Sequence, residues 1–160
     1  MSSPSPLTVQ PRRWQLALAL LALGFWLPPA STARADALTD AAANLAPSVQ
    51  DVRLAGTWKK DSRKGVYRVI VARTPAPGST ARLFVQWIAI SVDGSQRVER
   101  SIEIAELAAL KLDISNFVTE TDPDGLSIFV EVVDAAKHTD QSYELFVEDD
   151  GTYRFGPASN

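Results

Sequence analysis

The 160-residue chain contains no cysteine, one histidine and one methionine. Zero cysteine excludes disulfide staples, thiol nucleophiles and cysteine-based zinc sites, so the fold rests on its apolar core alone. A single histidine supplies no imidazole pair for a metal. It could serve at most one member of a Ser-His-Asp triad, for which no nucleophile-elbow motif identifies the serine. There is no Gly-rich phosphate loop and no metal-ligand spacing, and no cofactor is expected. The most apolar run, Leu16 to Leu27, has 12 residues, whereas a helix crossing a bilayer needs about 20.

That run has a different meaning. Arg12 and Arg13 precede it, Pro28 and Pro29 end it, and Ala33-Arg34-Ala35 offers small residues where a signal peptidase reads them. Residues 1–35 are therefore expected to be a cleaved secretion signal, leaving no stable membrane anchor. Lipid attachment at the cleavage site is excluded by the missing cysteine. Pro11 before the arginine pair and Gln15 after it argue against twin-arginine export. The expected location is the periplasm or exterior of a bacterium.

Removing the signal leaves 125 residues, room for one domain, with 13 Lys and Arg against 19 Asp and Glu, a net charge of −6. That balance argues against nucleic acid and anionic membranes as partners.

Residues 36–47 form an Ala-rich stretch with helical spacing, closed by Pro47, and are expected to be a short helix or leader. From residue 48 to 160 the apolar period is two, which describes a single antiparallel β domain. Expected strands are 49–58, 66–73, 81–91, 96–104, 110–121, 126–134, 142–148 and 152–155. Asp93-Gly94, Asp122-Pro123-Asp124-Gly125 and Asp149-Asp150-Gly151 supply hairpin turns, so consecutive strands should pair as a meander. Leu83, Val85, Trp87 and Ala89 should share a face, and so should Val98, Arg100, Ile102 and Ile104. Ala105 to Leu110 has helical propensity and reads as a short turn of helix.

Several strands are apolar on both faces. Tyr67, Val69 and Val71 oppose Val66 and Ile70, while Phe84, Ile88 and Ile90 oppose the Trp87 row. Each such strand needs cover on both sides, from a second sheet, the N-terminal helix or a partner. The expected fold is an all-β antiparallel two-sheet sandwich of seven to eight strands with a short N-terminal helix.

Gly56-Thr57-Trp58, near the start of the first strand, resembles the G-x-W element of lipocalin-type barrels. The resemblance implies an up-and-down barrel with a small apolar ligand inside and a basic side chain, here Arg154, over the Trp. The plainer reading, a core Trp following a Gly bend, is preferred.

The remaining candidates are sparse. His138 lies in a polar loop and reads as solvated. The acidic turns at 122–125 and 148–151 offer too few oxygens each for calcium. Glu99 with Glu103, and Glu144 with Glu148, read as wet strand faces rather than a glycosidase pair. Arg68 and Arg100 interrupt apolar rows, and either of them in a pocket would suit an anionic ligand. Trp58, Tyr67 and Trp87 could supply aromatic contacts, so ligand or partner binding is assigned to Trp58, Arg68, Tyr67, Trp87 and Arg100. No residue is assigned to catalysis. The expected function is a non-enzymatic binding or accessory module for another exported protein. The alternatives are a lipocalin-like carrier and a small hydrolase using carboxylates.

Overall fold

The computed structural model describes residues 36–75, 80–134 and 136–159. The expected signal at 1–35 lies outside the described residues. Helix α1 (Ala37–Ala43) is capped by Asp36, whose side chain accepts from the Leu38 amide at 3.2 Å. None of its residues is buried, so it covers neither sheet.

Eight strands follow: β1 (Val49–Lys60), β2 (Arg63–Arg73), β3 (Ala81–Ile90), β4 (Gln96–Glu103), β5 (Asp113–Asp122), β6 (Gly125–Asp134), β7 (Thr139–Glu148) and β8 (Tyr153–Pro157). They form two four-stranded antiparallel sheets in the orders β1-β2-β3-β4 and β5-β6-β7-β8. The expected sandwich and its meander connectivity are what the chain adopts. Helix α2 (Ala105–Leu110) carries the chain from one sheet to the other and buries Leu107 in the core. Because the chain changes sheets there, the strands stand in two separate ladders and no closed barrel forms among the described residues.

The hairpin ends require left-handed backbone. Gly94 (φ 81°) and Gly151 (φ 90°) turn β3 into β4 and β7 into β8, while Asp61 and His138 take the same region at φ 55° and 53°. Asp93 and Asp150 brace their turns by accepting from the amides of Ser95 and Thr152, at 3.0 and 2.8 Å. Up-and-down connectivity then gathers the β1–β2, β3–β4, β5–β6 and β7–β8 turns at one end of the sandwich.

One continuous core fills the space between the sheets. Tyr67, Val69, Leu83, Val85 and Trp87 of the first sheet meet Phe117, Leu126, Ile128, Val130 and Leu145 of the second, all at 2 % exposure or less. Burying each such side chain contributes about 1.5–3 kcal/mol. The volume that a lipocalin-type barrel would leave for its ligand is occupied by these side chains.

Among the described residues the register shifts at Gln50, Gly56, Glu99 and Ser115, and two of these irregularities bear on the candidate residues. Gly56, at φ 51°, is the extra residue between the Ala55–Tyr67 and Thr57–Val66 pairs. Strict alternation would place Trp58 on the face opposite Ala55; the bulge returns it to the core, where it is 3 % exposed. The Gly-Thr-Trp element is therefore a bulge that aims a core Trp. Glu99 plays the same part in β4, where Trp87 pairs with Arg100 but Ile88 pairs with Val98. This corrects the expected face: Val98 leaves the Arg100–Ile102 row for the outer side and is 50 % exposed.

Cationic side chains close the seams between the sheets. Arg53 of β1 lies 4.1 Å over the Phe117 ring and donates to the Phe117 carbonyl at 2.8 Å, joining β1 to β5. Arg73 does the same lower down, through Asp113 at 2.7 Å and the Ile114 carbonyl at 2.5 Å.

Candidate functional site

Of the five residues assigned to binding from the sequence, the structure brings four together. Trp58, Tyr67, Trp87 and Arg100 meet at the turn-rich end of the sandwich. Arg68 faces away, on the outer side of the first sheet.

The meeting point is a cleft of about 300 Å³ lined by Trp58, Lys60, Arg63, Trp87, Glu99, Arg100, Asp149 and Asp150. The β1–β2 hairpin, the β4 bulge and the β7–β8 turn each contribute to it, so it exists only once both sheets are packed. Asp149 joins them: its Oδ1 accepts from the Tyr67 hydroxyl at 2.5 Å and its Oδ2 from the Lys59 amide at 3.0 Å. Tyr67 is fully buried and sits edge-on to Trp87, with ring centroids 5.7 Å apart.

Burial, and then the bond to the Asp149 carboxylate, push the Tyr67 pKa far above its ordinary value of 10.0. Raised in the folded state, it leaves stability intact below pH 10, where both states are protonated. Above pH 10 the unfolded chain ionises first, and stability falls as pH rises toward the folded pKa. Urea melts of the wild type should therefore lose stability more steeply above pH 10 than melts of Tyr67→Phe. At pH 7 the variant should be less stable by about 1.5–3 kcal/mol, through loss of a hydrogen bond to a charged group. Parallel curves above pH 10 would show that Tyr67 does not carry this proton linkage.

The cleft's carboxylates are already engaged. Asp149 is held as described, Asp150 accepts from the amide and hydroxyl of Thr152 at 2.8 and 2.7 Å, and Glu99 pairs with Arg63 and lies 3.6 Å from Arg97. The Asp150 pKa is held below its ordinary value, first by the Thr152 hydroxyl and with help from Lys60 and Arg100. Its donors are less fully used. The buried indole Nε1 atoms of Trp58 and Trp87 have no hydrogen-bond partner among the described residues, and neither has Glu99 Oε2. Trp87 Nε1 lies near enough to the Tyr67 oxygen to favour its phenolate slightly, without hydrogen-bond geometry.

Arg100 is fixed from three sides. Its guanidinium stands 5.6 Å over the Trp87 ring, its Nη1 donates to the Asp150 carbonyl at 3.1 Å, and Gly151 packs directly against it. A Cβ at Gly151 would overlap that guanidinium. The basic partner implied by the barrel resemblance is elsewhere: Arg154 lies 4.9 Å over Phe146, because β8 pairs with β7 in the second sheet.

The two acidic turns do converge at this end, where the Asp149 amide reaches the Asp124 carbonyl at 3.4 Å. Among the described residues, no group of three or more His, Asp or Glu side chains is placed to hold a metal ion. His138 is exposed in the β6–β7 turn.

Arg68 belongs to a second surface. Register places Val52, Ile70 and Phe84 in one row across the outer face of the first sheet, and Thr57, Val66, Ile88 and Val98 in another. A polar stripe runs between them: Arg68 donates to Gln86 Oε1 at 2.8 and 2.5 Å, and Gln86 donates to the Ser101 hydroxyl at 3.1 Å. Leu54, beside Arg68, is 69 % exposed. At the upper edge, Thr57, Trp58, Lys59, Lys64, Gly65, Val66 and Ile90 line an apolar groove of about 420 Å³.

Charge is divided between the sheets. Residues 49–104 carry ten Lys and Arg against five Asp and Glu, while residues 105–160 carry three against twelve. By register, Lys59, Lys64, Arg68 and Arg82 share the outer face of the first sheet with one acid, Glu103. The opposite outer face bears Glu120, Asp122, Glu131, Asp140, Glu144 and Glu148 with one base, Arg154. The whole-chain charge of −6 expected for the exported form conceals this asymmetry.

Comparison with protein families, with curated proteins and with solved structures finds no match to this chain.

Proposed function

We propose that this protein is an exported, non-enzymatic accessory module that docks another exported protein on the outer face of its first sheet. The observation that carries the reading is an apolar sheet face on which Val52, Leu54 and Val98 are exposed, although Ile88 is buried and Arg82 lies over Phe84, set among basic side chains on an otherwise acidic molecule. Apolar rows supply association energy when buried, and the rim selects an orientation and a partner of opposite charge. The partner accordingly presents acidic residues around an apolar centre. Its apolar anchor enters the groove beside Val66 and Ile90, between the ammonium groups of Lys59 and Lys64.

The filled core supports this reading over a carrier, and the engaged carboxylates support it over a hydrolase. The test is capture of partners by the immobilised protein from periplasmic extract, repeated with outer-face variants. A specific partner should be retained by the wild type and by Glu144→Lys on the second sheet. It should be lost with Arg68→Glu/Arg82→Glu and with Leu54→Asp, and weakened as salt is raised, since exposed charges are screened within about 10 Å at 0.1 M. Capture that ignores the outer-face variants would overturn the proposal. So would concentration-dependent self-association that these variants abolish, because the occupant would then be the acidic face of a second copy.

A further inference from the structure

We infer that the cleft between Trp58, Trp87 and Arg100 is a binding site for the carboxylate group of a small organic acid. The inference does not rest on protein docking: the cleft and the outer-face groove share Trp58 and no other lining residue.

The cleft's hydrogen-bonding capacity selects the ligand class. Its lining carries three cations and three carboxylates, so overall charge does not decide. What decides is which groups remain available. Asp149 and Asp150 are held by Tyr67, Lys59 and Thr152, and one oxygen of Glu99 is held by Arg63. Against one incompletely bonded oxygen, Glu99 Oε2, stand the Lys60 ammonium and most of the Arg100 fork. An acceptor-rich group is therefore favoured over a donor-rich one such as an amine.

Within acceptor-rich ligands, the shape of the site favours a carboxylate. The guanidinium is a planar fork that pairs with a carboxylate through two parallel bonds. Arg100 is held in place before any ligand arrives, between the Trp87 ring, the Asp150 carbonyl and the bare Cα of Gly151. Little side-chain freedom is then lost on binding, which is the energetic use of a preorganised group. The cleft volume of about 300 Å³ is roughly ten times the 30 Å³ share of one water molecule. It accommodates the body of an organic acid as well as its charged end.

The site contains its own reporters, Trp58 and Trp87. Benzoate, succinate and citrate are titrated separately into the purified protein, with phosphate and sulfate as inorganic comparators, following Trp emission and the heat of binding. At least one carboxylate should produce a saturable change in both signals. Arg100→Gln should weaken its binding about tenfold or more, the scale of a lost charge-assisted hydrogen bond. Arg100→Lys, which keeps the charge but loses the fork, should weaken it several-fold. Lys111→Gln, at the exposed end of α2, should leave it unchanged. Gly151→Ala should weaken binding with Arg100 itself intact, and circular dichroism with urea melts identifies any variant that fails to fold.

Absence of a saturable response to all three carboxylates up to about 10 mM, well above a 1 mM dissociation constant, would overturn the inference. So would saturation by phosphate or sulfate alone, or a carboxylate response that persists undiminished in folded Arg100→Gln. None of these outcomes bears on capture by the outer face, so the two readings fail separately.

Discussion

Gly65→Ala should be less stable than the wild type by about 3 kcal/mol or more, with a melting temperature lower by roughly 10 °C. Gly65 is buried in β2 between Trp58 of β1 and Ala89 of β3. A Cβ there would overlap the Ile88 carbonyl oxygen and stand 2.9 Å from Trp58 Nε1. The first obstacle is backbone, so relief requires β2 to part from β3 at the point where both Trp side chains are seated. Small-to-large changes are usually absorbed by rotating a neighbouring side chain, and no rotation moves a ladder carbonyl. The same reasoning applies to Gly125 of the second sheet, whose Cβ would overlap the Val147 carbonyl. Gly156 is the control: a Cβ there meets nothing within 4 Å, and Gly156→Ala should change stability by no more than about 0.5 kcal/mol. Urea melts of the three variants decide the matter. Wild-type stability in Gly65→Ala would refute the close approach of β2 and β3.

Phe117→Ala should have an effect of similar size, about 3–5 kcal/mol, while its neighbour Val118→Ala should cost no more than about 0.5 kcal/mol. The two residues are adjacent in β5 and point to opposite faces: Phe117 is 1 % exposed and Val118 52 %. Removing the Phe117 ring leaves a cavity at the seam between the sheets and takes away the surface under the Arg53 guanidinium. The gap cannot collapse easily, because its walls belong to two separately hydrogen-bonded sheets. Equal losses in the two variants would mean that β5 does not present its faces as described. A loss in Phe117→Ala that is much reduced in an Arg53→Ala background would measure the coupling between ring and cation.

Much of the architecture was legible in the linear pattern. Period-two alternation located all eight strands to within a few residues at their ends, and Asp-Gly pairs marked hairpins that do form. The short helix at Ala105–Leu110 was visible as a break in that alternation. Val98 was misplaced for a definite reason. A bulge inserts one residue and reverses the alternation beyond it, and in β4 the inserted residue is Glu99, which carries no local mark of that role. Gly56 left a clearer trace, since a glycine before a Trp in a strand is suited to a left-handed bulge; the lipocalin-type resemblance drew attention to the right residues with the wrong architecture.

The candidate site was legible only in part. Trp58, Tyr67, Trp87 and Arg100 stood out as large or charged residues in apolar rows. Lys60, Arg63, Asp149 and Asp150 read as ordinary turn residues, and a turn's contacts with another sheet are not encoded within the turn. The division of charge was available from a count of the two halves of the chain. It gained meaning only when each half proved to be one sheet with its own outer face.

The sequence by itself determined the strand inventory, the meander and an all-β core built without cysteine, because those follow from interactions among residues near one another along the chain. Only the tertiary structure decided that the sheets remain separate, that Val52, Leu54 and Val98 of the outer face stay exposed, and that Arg100 lies over Trp87 against Gly151. Those outcomes depend on contacts between residues some 50 positions apart, which are set when the sheets pack and which no local pattern specifies.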